Sequence, residues 1–252
     1  MTEIIWHKLL LPGPEVPKTV LRDECYKEIV ENVQMHPWAN NEITIPEPKA
    51  FRSMSRASLF LTHVCYEARN ILAPYLEKSP FAVGIYCAVE NGPIDAASTL
   101  KILSPDGSAK LGFAEAYRKF RNPKMYLKQL PNLAPAQMGI FMGLQGPMNV
   151  YTHSTHAGYQ ALDQAEWDLE TGVVDAALVC TAHAFDDFLV VRRTRQADNR
   201  CLVEGAGALV MIRSDKEGSA NWSEKVREDK ESFYGISSPI INLLKEEENA
   251  RN

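Results

Sequence analysis

Apolar residues recur along the chain in short blocks bounded by proline, glycine or polar clusters, and the spacing inside the blocks changes from one to the next. FAVGIYCA (81–88) and VVDAALVCTA (173–182) are almost continuously apolar, which predicts strands covered on both faces of a sheet. Met148 to Thr152 predicts another short strand. RCLVEGAGALVMI (200–212) predicts a hairpin or bent strand whose glycines permit close backbone approach. Between these blocks the period lengthens toward that of a helix. VPKTVLRDECYKEIVENV (16–33) predicts a helix, followed by the loop HPWANNEITIPEPKAF (36–51). MSRASLFLTHVCYEARNIL (54–72) predicts a stronger one, with Leu59, Thr62/His63, Tyr66 and Asn70 on one stride and Pro74 as its end.

IDAASTLKIL (94–103) and GFAEAYRKF (112–120) predict helices around the turn Ser104-Pro105-Asp106-Gly107. Phe113, Tyr117 and Phe120 form a stripe that reads as core. AQMGIFMGL (136–144) predicts a helix of small residues. A further helix, from about Thr155 to Thr171, places Gly158, Ala161, Leu162, Ala165 and Leu169 on one face, and Gly172 stands where it would stop. Helices alternating with apolar strands predict an α/β fold. From Ser214 the chain turns polar; a short apolar segment, ISSPIINLL (236–244), precedes an acidic end expected to fray.

The 252 residues are 45% hydrophobic and 23% charged, as in a soluble chain with a substantial core. A net charge of −5 and a pI of 5.7 count against a nucleic-acid partner. The five cysteines, Cys25, Cys65, Cys87, Cys180 and Cys201, are odd in number and widely spaced. They form neither a disulfide framework nor a zinc pattern, so no metal and no cofactor is expected, and a reducing cytoplasm fits. The start, MTEIIWHKLLLPGPE, is too short and polar for a signal peptide. No apolar run approaches the ~20 residues that cross a bilayer, so no membrane partner is expected.

Chemistry concentrates at the turn His153-Ser154-Thr155-His156, between a strand and a helix. Unpaired N–H groups and the positive end of the helix dipole would stabilise an oxyanion or thiolate there. One reading is a hydroxyl nucleophile, Ser154 or Thr155, with a histidine base. Sequence neighbours on a strand point to opposite faces, however, and the Gly-x-Ser-x-Gly elbow is absent. The other reading is a Ser/Thr helix cap flanked by surface or interface histidines. EGAGALV (204–210) lacks the three-glycine dinucleotide fingerprint. RRTRQADNR (192–200) is a cationic loop, either solvated or facing an acidic partner. His183 stands at a strand end, where α/β folds place ligands, although a lone histidine is more often structural.

From Gly146-Pro147 through Gly158, Ala165, Gly172 and Asp175 to Ala182, the chain resembles without a gap the N-terminal half of the β-ketoacyl-ACP synthases of the thiolase-like superfamily. VEGAGALVM (203–211), RSMSRAS (52–58) and GLQGP (143–147) extend the resemblance over Phe51 to Met211. It implies the N-terminal half of a thiolase-like α/β fold, a mixed sheet with helices on both faces, over residues 1–213. A charged tail with a short apolar segment would follow over 214–252.

The alignment puts Thr155 where the family carries its acyl-accepting cysteine. A threonine hydroxyl stays protonated near neutral pH, unlike a cysteine of pKa ~8.5 beside a helix N-terminus. The family's two histidines and lysine belong to a second half, and no histidine follows Met211 here. The resemblance therefore implies a non-catalytic subunit akin to a chain-length factor. It would form a heterodimer or heterotetramer with an active ketosynthase in type II polyketide biosynthesis, of the aromatic polyketide or aryl polyene kind, and meet an acyl carrier protein.

A half-length fold would leave apolar surface bare where the second half packs. The strand Met148, Asn149, Val150, Tyr151, Thr152, His153 would pair with the partner's equivalent strand. Met125, Gln129 and Leu130 would gate the partner's acyl tunnel. Arg192, Arg193 and Arg195, with Arg200, would meet the carrier. The alternatives are a malonyl-decarboxylating or hydrolytic enzyme using Ser154 or Thr155, and a carrier-binding scaffold.

Overall fold

The computed structural model describes residues 2–23, 27–37, 49, 54–152, 155–185, 187–214 and 221–251. The chain opens with strands β1 (Thr2–Leu10), β2 (Thr19–Asp23) and β3 (Glu28–Gln34), then helices α1 (Arg56–Tyr66) and α2 (Arg69–Lys78). Strand β4 (Val83–Val89) leads to four helices, α3 (Ala96–Leu103), α4 (Phe113–Phe120), α5 (Pro123–Lys128) and α6 (Leu133–Met142). Next come β5 (Met148–Tyr151), α7 (Ala157–Glu170), β6 (Ala176–His183), α8 (Phe188–Ala197), β7 (Cys201–Val203) and β8 (Gly205–Arg213). The chain ends with α9 (Trp222–Lys225), β9 (Ser232–Phe233) and α10 (Ser238–Arg251).

The main sheet runs β1-β8-β6-β4-β5, with β4 parallel to β5 and β6 but β8 antiparallel to both β6 and β1. Alternation along the strands builds two cores. Ile85 and Cys87 of β4 face one side with Leu178 and Cys180 of β6, under Phe60, Leu61, Leu72 and Met138 from α1, α2 and α6. Tyr86 and Ala88 face the other side with Ala177 and Val179, under Ala161, Leu162, Ala165 and Leu169 of α7. Helices thus cover both faces of a mixed sheet, as expected. Helix α7 is tied down by a buried bond: the Tyr86 hydroxyl donates to Asp168 at 2.6 Å, and Gln164 donates to the other Asp168 oxygen at 2.9 Å. Burial and Asp168 push the Tyr86 phenol far up, so it remains a donor.

Four local expectations are corrected. Residues 16–33 hold the hairpin β2–β3, with Leu21 opposite Val30, rather than a helix. Their apolar spacing suits either period, but Thr19, Val20, Ile29, Val30 and Val33 are β-branched, and β3 gains a parallel partner in β7. Pro74 sits inside α2 rather than ending a helix. Near the first turn its missing N–H forfeits one bond to Asn70, and the packing of Leu72, Ile71, Tyr75 and Leu76 on the core outweighs that loss. Phe113 is 62% and Tyr117 42% exposed, so the aromatic stripe of α4 is surface, not core. Of RRTRQADNR, Arg192 to Ala197 belong to α8, and the irregular part is confined to Asp198 to Arg200.

The bent strand breaks at Glu204. Strand β7 belongs to a second sheet, β2-β3-β7-β9, while β8 crosses into the main one. Glu204 is fully buried at this corner, where it accepts from the N–H of His36 (2.8 Å) and of Phe185 (2.7 Å) and from the Arg56 guanidinium (2.8 Å). Burial pushes the carboxyl up; Arg56 and the backbone donors pull against it without cancelling the shift.

The acidic end expected to fray continues the last helix as far as Arg251. Helix α10 packs on α7 and β8, burying Ile240, Ile241, Leu243 and Leu244. Each such side chain contributes roughly 1.5–3 kcal/mol. With α7, this helix covers the inner face of the main sheet, the one carrying Tyr86 and Val179, while apolar side chains such as Ile140 and Trp167 remain exposed elsewhere. Asn242 of α10 is also buried.

Candidate functional site

Because β4, β5 and β6 are parallel, their C-terminal ends deliver Glu90, the Thr155 turn and His183 to one edge of the sheet. Ligands collect at such edges in α/β folds. Thr155 and Glu90 line a cleft of about 360 Å³, closed by Arg193 and Thr194 of α8 and by Phe233, Gly235 and Ile236 of the C-terminal segment. Arg193 pairs with Glu90 at 3.0 Å.

Thr155 is exposed, and among the described residues none hydrogen-bonds its hydroxyl. The cap position of α7 is His156 rather than Thr155, and the His156 side chain makes no capping bond. The His156 ring instead stands edge-on to Tyr159 at 6.3 Å. His153 and Ser154 lie outside the described residues. Among the described residues no base is held on the Thr155 hydroxyl, and a hydroxyl nucleophile needs one.

His183 lies beneath the cleft, fully buried, edge-on to Phe185 at 5.1 Å. Its Nε2 is 3.4 Å from the Thr194 hydroxyl, which donates to the Val190 carbonyl at 2.8 Å. Burial, with a contribution from Arg193, lowers its pKa to about 4, so the ring is neutral near pH 7. Gly235 has φ +55°, and a β-carbon there would lie 2.6 Å from the imidazole, so glycine alone fits this close approach.

The other site candidates are dispersed. Gln129 shares a cleft of about 390 Å³ with Arg192 and Arg193. Met125 is half-buried, and Leu130 is 41% exposed. Arg192 reaches Glu28 at 3.4 Å, whereas Arg195 donates to the carbonyls of Glu31 (2.6 Å) and Arg200 (2.9 Å). Arg200 is bound to Asp198 at 2.6 Å. The four cations therefore do not form one free patch. Among the described residues β5 is an edge strand, paired only with β4; Met148 is 42% exposed, and Asn149, Val150, Tyr151 and Thr152 are half-buried.

Glu90, Phe233, Gly235 and Ile236 were not singled out from the sequence. The one local signal for Glu90 is its place just after an all-apolar strand. A lone glycine before an apolar run marks Gly235. Among the described residues no cluster of His, Cys, Asp or Glu is arranged to hold a metal, and no helix is long and apolar enough to cross a membrane.

Neither a protein-family model nor a curated protein matches the chain. Solved structures do. The ApeO ketosynthase in complex with its chain length factor ApeC, from Xenorhabdus doucetiae, aligns with a TM-score of 0.59 at 9% identity, over 85% of this chain and 58% of that one. A type II PKS acyl-carrier protein in complex with its hexaketide-bound ketosynthase (AntDE:AntF) gives 0.55 at 17% identity, over 72% and 52%. The ishigamide ketosynthase/chain length factor gives 0.54 at 16% identity, over 80% and 56%. At these identities the likeness is one of fold: the protein has a thiolase-like, ketosynthase-type α/β architecture. It spans about half the length of the chains it matches.

Proposed function

We propose that this protein is a non-catalytic, ketosynthase-like subunit that binds an active ketosynthase and shapes its acyl tunnel in the manner of a chain-length factor. The reading rests on Thr155, which the sequence resemblance aligns with the family's nucleophile and whose hydroxyl has no hydrogen-bond partner among the described residues. The fold likeness to ketosynthase and chain-length-factor complexes supports it. The edge of β5, unpaired among the described residues, supports it too, since an open strand edge favours pairing with another chain. An acyl carrier protein would then meet the complex rather than this chain alone, because Arg195 and Arg200 are engaged internally.

The test is co-expression with candidate ketosynthases, followed by mass measurement of any stable complex and product analysis. A 1:1 or 2:2 complex is expected. Gln129→Ala or Leu130→Ala should change product length while condensation continues. A chain that stays monomeric with every ketosynthase, or products unchanged by both substitutions, would remove the proposal. Product formation by the isolated chain, lost in Thr155→Ala, would favour the enzymatic alternative.

A further inference from the structure

Helices α3, α4 and α5 stand outside both sheets and form a wall of their own. Each has a local reason to exist. Asp95 caps α3 by accepting the Ser98 N–H at 3.1 Å, and Asn122 caps α5 by accepting the Lys124 N–H at 3.2 Å, with Pro123 in the first turn. Phe113 and Tyr117 of α4 stack at 6.2 Å.

Between the three helices lies a cleft of about 570 Å³. That size is within the ~300–1,000 Å³ of small-molecule pockets. Ile102, only 7% exposed, is its buried apolar base, and Tyr117, Tyr126 and Leu127 line it. Tyr126 is 65% and Leu127 45% exposed, so this apolar surface is not used by the chain's own core.

The polar lining is dominated by donors. Arg121 lies 5.6 Å over the Tyr117 ring and has no carboxylate partner among the described residues. The Tyr117 and Tyr126 hydroxyls and the Asn122 amide add further donors. The acid in the lining, Asp95, already accepts from the start of α3. One cation, neutral donors and an apolar base match a singly charged head group on an apolar body; a di- or triphosphate would ask for more positive charge.

We propose that the cleft between α3, α4 and α5 binds a carboxylate with an apolar tail, a medium-chain or aryl carboxylate. Arg121 pairs with the head group, and Ile102, Tyr117 and Tyr126 cover the tail. The site is separate from the Thr155 cleft, and its existence does not depend on the role proposed for that cleft.

The test uses the full chain, titrated calorimetrically with sodium octanoate, sodium hexanoate and 1-octanol. Saturable 1:1 octanoate binding is expected, weakening about threefold to fourfold per methylene removed. Arg121→Gln should weaken octanoate at least about tenfold, the loss of one charge-assisted hydrogen bond, and leave octanol unchanged. Tyr126→Ser should weaken both ligands. Both residues are exposed, so neither variant should disturb folding. Absence of saturable octanoate binding overturns the proposal, as does equal octanoate affinity in wild type and Arg121→Gln. So does loss of a ketosynthase complex in Tyr126→Ser with no octanoate binding, which would assign the cleft to a protein interface.

Discussion

Pro239 at the start of the last helix rests directly on Gly158 of α7: a β-carbon on Gly158 would lie 2.9 Å from the Cβ and Cγ of Pro239. The same helix uses two more glycines. A β-carbon on Gly207 would lie 2.5 Å from a Leu244 methyl, and one on Gly205 would lie 3.2 Å from Ile241. Glycines on α7 and β8 thus make the seat on which α10 closes the inner face. Gly158→Leu should overpack this seat at a cost of about 1–3 kcal/mol, lowering the melting temperature by roughly 2–10 °C. Gly158→Ala should lose less, because alanine gains about 1 kcal/mol of helix propensity against a smaller clash. Thermal unfolding followed by circular dichroism checks the order; a Leu variant as stable as wild type would mean that α10 is not seated there.

What the sequence revealed follows from how local each determinant is. Strands β4 and β6 were legible because burial on both faces leaves an unbroken apolar run, and α7 because its buried residues share one stripe. The β2–β3 hairpin was not, because Leu21, Ile29, Val30 and Val33 fit two periods and the choice was made by a distant partner, β7. Helix α10 was missed because IINLL is brief and acid follows; what holds it are glycines remote in sequence. At the site, Thr155 was found through the polar cluster at a strand-to-helix turn, and its assignment came from the family resemblance around it. Glu90, Arg193 and Gly235 converge on it only through the fold.

The Thr155 hydroxyl should be dispensable. It is exposed and carries no hydrogen bond from a described residue, so Thr155→Ala leaves stability within about ±0.5 kcal/mol. Incubation of the wild-type chain with an acyl-loaded carrier should give no acyl adduct by intact mass spectrometry. Thr155→Cys provides the contrast, since a thiol is partly ionised near neutral pH and needs no held base. An adduct on wild-type Thr155 would reverse the functional reading.

Glu204 should be among the most sensitive positions. Its Oε1 accepts from the Phe185 N–H, and its Oε2 accepts from the His36 N–H and from Arg56, so both oxygens are committed to donors. Glutamine has the same size but turns one oxygen into a donor facing a donor. Glu204→Gln should therefore cost about 3 kcal/mol, and Glu204→Ala at least as much, because the buried N–H groups of His36 and Phe185 would lose the acceptor they share with Arg56. The corner joins the two sheets, so the loss should appear as a lower denaturant midpoint for the whole chain. Arg56→Lys should restore little, since a point charge replaces a planar fork that also stacks 5.0 Å over Phe60.

His183 gives the fold a pH dependence in a definite window. Burial, with help from Arg193, holds its pKa at about 4, below the ordinary 6.5. Above pH 6.5 the ring is neutral in both the folded and unfolded chain, and its contribution is fully present. As pH falls from 6.5 toward 4, the unfolded chain takes up a proton that the folded chain refuses, and stability drops by about 3 kcal/mol. Below pH 4 both states carry the proton and this loss levels off. His183→Gln removes the titrating group, so the wild-type minus variant difference in unfolding free energy should fall across that window and be flat above pH 7. Carboxylates titrating below pH 5 act on both proteins and cancel in the difference. A difference that stays constant from pH 7 to 4 would mean the imidazole protonates as readily in the fold as in the open chain, and would place His183 in contact with water.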